Sequence, residues 1–72
     1  MSADPQWHGD KFATHPDARE LGRVWRECAW WRWRAAGATG LWEGCEVAEA
    51  DARAIVERVV LTWWHARSAE QA

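Results

Sequence analysis

The sequence predicts an all-α protein, a two-helix hairpin preceded by an ordered aromatic N-terminal arm or short helix, and three observations predict it. Apolar residues recur at helical spacing over residues 16–36. Residues 46–68 contain no glycine or proline and begin E-V-A-E-A-D-A-R-A, rich in strong helix formers. Between them, Gly37 and Gly40 in G-A-T-G supply the left-handed positions that end one helix before another begins. At 72 residues the chain is one domain, of the size at which a hydrophobic core alone supplies roughly 3–5 kcal/mol.

Residues 1–15 form the arm. Pro5 and Gly9, with Pro16 just beyond, break any long helix, while Trp7 and Phe12 are too aromatic for a disordered tail. The first helix, 16–36, starts at T-H-P-D-A-R-E: Thr14 or His15 caps, Pro16 suits the first turn, and Asp17 and Glu20 meet the positive end of the dipole. On a helical wheel Leu21, Val24, Trp25, Cys28, Trp31 and Ala35 fall on one apolar stripe. Arg19, Arg23, Arg26 and Arg34 lie opposite, with Trp30 and Trp33 among them. Cys28 reads as a small buried hydrophobe, and Arg32, near the end of the stripe, as a side chain that snorkels past the helix terminus.

Residues 37–45 are the loop. The second helix, 46–68, has Glu46, Glu49 and Asp51 at its positive end and places Ala48, Ala52, Ile55, Val56, Val59, Trp63 and Ala66 on its core stripe. A strand is the rival reading, since I-V-E-R-V-V-L-T-W-W is β-branched and aromatic. No turn signal separates that run from the helix formers before it, and a lone strand has no partner. Val60, Leu61 and Trp64 fall outside the stripe, so this end of the helix is apolar nearly all round and calls for the N-terminal arm or a second molecule to cover it. Residues 69–72 are a tail.

Eight tryptophans exceed what two helices can enclose. The surplus directs the functional reading. Arg and Trp are the residues enriched at interface hot spots, so Arg23, Arg26, Trp30, Trp33 and Arg34 form the predicted partner-binding face, and Leu61 and Trp64 a self-association patch. The expected function is a non-enzymatic protein–protein interaction module, a bacterial or phage regulator or inhibitor that docks on a larger protein and itself forms a two-fold homodimer. The alternative is a nucleic-acid-binding regulator: residues 18–36 carry five arginines against two glutamates. The whole chain is −2, which argues against the basic footprint such proteins show.

Other classes find no support. Sixteen residues separate Cys28 from Cys45 and six separate His8 from His15, spacings unlike the close pairs that hold zinc, so no metal or cofactor is expected. Cys45 and His65 would sit at opposite ends of one helix, too distant for a catalytic pair, and no phosphate-binding loop is present. The start of the chain lacks the basic and apolar regions of a signal peptide, and no apolar run nears 18 residues. A cytoplasmic location with free thiols and no membrane contact is expected.

Overall fold

Alternation with a period of two, rather than helical spacing, governs the first two thirds of the chain. In the computed structural model, which describes residues 4–70, five strands precede a single helix. The strands are β1 (Gln6–His8), β2 (Lys11–Ala13), β3 (Gly22–Glu27), β4 (Trp30–Gly37) and β5 (Gly40–Glu46), and the helix is α1 (Glu49–Glu70). They form one antiparallel sheet in sequence order, β1-β2-β3-β4-β5. The all-α hairpin is therefore overturned, and the protein is not a small helical one. Of the predicted arm, residues 1–3, and of the predicted tail, residues 71 and 72, lie outside the described residues.

The predicted first helix, 16–36, is instead a connection followed by the β3–β4 hairpin. Its start signal produces one turn that does not propagate: the Ala18 amide donates to the His15 carbonyl (3.0 Å), and the Leu21 amide then returns to the sheet through the Phe12 carbonyl (2.9 Å). From there Gly22, Val24, Trp33 and Ala35 are buried while Arg23 and Arg34 are exposed, the one-in, one-out pattern of a sheet covered on one side. The register sets Val24 beside Trp33 and Gly22 beside Ala35 on the covered face. Cys28, expected in the core, is exposed as the first of the two residues of the β3–β4 turn, with a left-handed φ of 58°. The arm is the β1–β2 hairpin, turned at Gly9 and Asp10, and the predicted loop 37–45 is largely β5.

Only the second helix keeps its type, spanning Glu49–Glu70 where 46–68 was expected. Glu49 and Asp51 lie in its first turn and Arg67 in its last, both favourable to the dipole. It packs across β3 and β4, with Ala52, Val56 and Val60, four residues apart, fully buried. Val60 was placed outside the core stripe by the sequence reading and in fact lies at its centre. Phe12, Val24, Trp33 and Ala35 complete the core from the sheet, and Trp7, Leu21, Trp31, Ile55, Val59 and Leu61 pack around it. Burying a valine side chain contributes about 1.5–3 kcal/mol, so the Val24–Val56–Val60 cluster anchors the helix to the sheet. Gly22 permits this approach: a Cβ there would collide with Val56. No helix among the described residues is long and apolar enough to cross a membrane.

Candidate functional site

One helix covers one face of the sheet, and the opposite face of β3, β4 and β5 is left open. Register decides which side chains it carries. Arg23 pairs with Arg34 and Arg34 with Glu43 across the three strands, followed by the row Trp25, Arg32 and Cys45 and by the pair Glu27 and Trp30. Leu41, 68% exposed, lies beside Ala36 on the same face. The result is a flat surface of alternating guanidinium, indole and carboxylate groups.

The charges on this face are matched within it. Arg34 Nε lies 2.9 Å from Glu43 Oε1, Arg23 Nε 2.8 Å from Glu20 Oε1, and Arg32 Nη1 4.0 Å from Glu27 Oε1. The Arg34 guanidinium also sits 5.9 Å from the centre of the Trp25 ring, and Trp25 Nε1 donates to Glu27 Oε2 at 3.4 Å. Exposed pairs of this kind contribute about 0–1 kcal/mol each to stability, so their main effect is to hold the long side chains flat against the sheet. Trp30, at the end of β4, is 49% exposed.

The five predicted partner-binding residues separate under this geometry. Arg23, Trp30 and Arg34 share the open face. Trp33 lies on the covered face at 8% exposure, a core residue, and Arg26 shares the covered side with Val24, its Nε donating to the Cys28 carbonyl at 3.2 Å. Helical spacing put Trp33 and Trp30 together; period-two spacing puts them on opposite sides of the sheet. Arg32, expected to snorkel, stands on the open face beside Trp25 instead. Trp25, Arg32 and Glu43 are the open-face residues that the sequence reading missed; the run W31-R-W-R-A35 carried the alternation that sets Arg32 beside Arg34, whereas Trp25 and Glu43 are brought in only by the strand register.

Of the predicted self-association patch, Leu61 is taken up by the protein's own core periphery, and Trp64 is half-buried with Trp63 edge-on at 6.2 Å and Arg67 at 5.5 Å. Among the described residues no group of three or more His, Cys, Asp or Glu side chains is placed to hold a metal ion. Both cysteines are exposed free thiols. No family model, curated protein or solved structure matches the chain.

Proposed function

We propose that the protein is a non-enzymatic binding module that docks the open face of its sheet onto a larger protein. The observation that carries this reading is the pairing of Arg23, Arg32 and Arg34 with Glu20, Glu27 and Glu43 around the half-exposed indoles of Trp25 and Trp30. A mosaic of both signs is complementary to another protein surface, where charges set register and the aromatic groups supply the buried area. It suits a polyanion poorly, because each glutamate repels phosphate where the neighbouring arginine attracts it.

A photo-crosslinker at position 30, in cells that produce the protein, tests the reading. A discrete polypeptide adduct is expected, lost on Arg34→Glu and absent when the crosslinker is moved to Ala54 on the exposed side of α1. An adduct equal in mass to a second copy identifies the partner as the chain itself, the homodimer in which Trp30 replaces Leu61 as the contact. Equal crosslinking from both positions overturns the proposal.

A second reading is favoured by the Arg34–Trp25 stack and the exposed Trp30, since aromatic groups on an open sheet flanked by arginines stack single-stranded bases. Binding of a labelled single-stranded oligonucleotide that falls by about tenfold or more between low and moderate salt supports it and overturns protein docking as the face's main use.

A further inference from the structure

A second surface lies on the other side of the sheet. The β4–β5 turn and the C-terminal half of α1 enclose an open cleft of about 720 Å³, within the roughly 300–1,000 Å³ typical of small-molecule sites. Trp42 forms one wall: it projects from the helix side of β5, opposite Ala35, and is 53% exposed. Its indole rests on Gly37, where a Cβ would meet Trp42 Nε1 at 3.0 Å and Val59 Cγ1 at 3.3 Å, so the absence of a side chain at Gly37 shapes the floor. Trp63 on α1 forms the other wall, and Thr62 also lines the cleft.

The charge around this cleft differs from that of the open face. Arg23, Arg34 and Arg53 each hold a glutamate at 2.9 Å or less. Arg58, on the rim, forms no ion pair with any described carboxylate, and its helical neighbours Ala54, Ile55, Leu61 and Thr62 offer none. Arg67, on the same rim, stacks 5.5 Å from the rings of both Trp63 and Trp64. Two indoles and two guanidinium groups therefore converge on an apolar cavity.

We propose that this cleft binds a small planar aromatic anion, its ring between Trp42 and Trp63 and its carboxylate or sulfonate held by Arg58 with Arg67 beside it. Indole faces give a flat ring a sequence-independent stacking surface, and a guanidinium fixes which end faces outward. The site is separate from the docking face and stands or falls independently of it.

The test is titration of the full chain with 2-naphthoate and with neutral 2-naphthol, followed through the indole N–H resonances. Trp42→Phe and Trp63→Phe assign those of the two walls. Naphthoate is expected to shift the Trp42 and Trp63 signals saturably, to leave Trp25 and Trp30 in place, and to bind more tightly than naphthol. Arg58→Gln should raise the naphthoate Kd about fivefold and change that of naphthol by less than about twofold. Trp42→Ala, an exposed position, should weaken both. Equal affinity for the two probes, an unchanged naphthoate Kd in Arg58→Gln, shifts centred on Trp25 and Trp30, or no saturation by about 10 mM overturns the proposal.

Discussion

Trp33 and Gly44 are cross-strand partners, and the indole lies so close over the glycine that a Cβ there would meet Cε2, Cζ2 and Nε1 at 2.7–2.8 Å. The contact is with the middle of a buried ring, not with a flexible chain end, so it has no easy relief. Gly44→Ala should cost about 1–3 kcal/mol in urea unfolding, as overpacking of a close-packed core does. In a Trp33→Leu background, which removes the crowding ring, the same change should cost at least about 1 kcal/mol less. Additive losses would show that the two residues do not press on one another. Gly44 looked like ordinary loop material in the sequence; its role is visible only once Trp33 is known to face it.

At the scale of elements, the first hairpin is clamped to α1 by a handful of polar and aromatic contacts. Trp7 Nε1 donates to Glu57 Oε1 at 3.1 Å and its ring packs at a 44° tilt against Phe12 with centroids 4.8 Å apart. The Arg53 guanidinium lies 4.4 Å from the Trp7 ring centre while Nη1 donates to the Gly9 carbonyl at 2.9 Å. Arg53→Ala keeps good helix propensity and removes the ring contact and the hydrogen bond together, a loss on the order of 1.4 kcal/mol. Amide exchange in β1 and β2 should then quicken by about tenfold while that of β4 is little altered. Uniform acceleration throughout the sheet would mean that the hairpin opens only with the whole molecule.

The same scale explains what could be read beforehand. α1 declared itself because helix formers, acidic residues at its start and a single apolar stripe all agreed. The strands did not, for two physical reasons. Apolar residues occur on both faces of the sheet, with Val24 and Trp33 under the helix and Trp25 and Trp30 on the open side, so period two is blurred and Leu21, Val24, Trp25 and Cys28 imitate a helical stripe. The β3–β4 turn is made by Cys28 and Ala29, with no glycine, asparagine or aspartate to announce it, although Gly9-Asp10 did carry a legible hairpin signal. Of the open face, the interleaving of arginine with tryptophan was legible; which of them share a surface depended on the secondary structure and was not.

Over the whole molecule, the sheet separates two uses of tryptophan. Eight indoles exceed what a core of this size can enclose, and only Trp33 is buried; the remainder line the margins of α1, the cleft or the open face. Apart from Trp33, core volume comes from valine, alanine and one phenylalanine. Trp30→Ala on the open face therefore removes no core contact, whereas Val56→Ala removes one from the centre.

That distribution has an optical consequence. Seven of the eight indoles are at least partly open to solvent in the native protein, so its emission should lie closer to that of the unfolded chain than in a protein whose indoles are enclosed. Trp33→Phe should make the folded spectrum redder still, because it deletes the one enclosed emitter. A ligand or partner that covers Trp25, Trp30, Trp42 or Trp63 should move the spectrum to the blue without any change in fold. Measured side by side with circular dichroism, the intrinsic fluorescence of this protein is a gauge of occupancy more than of folding.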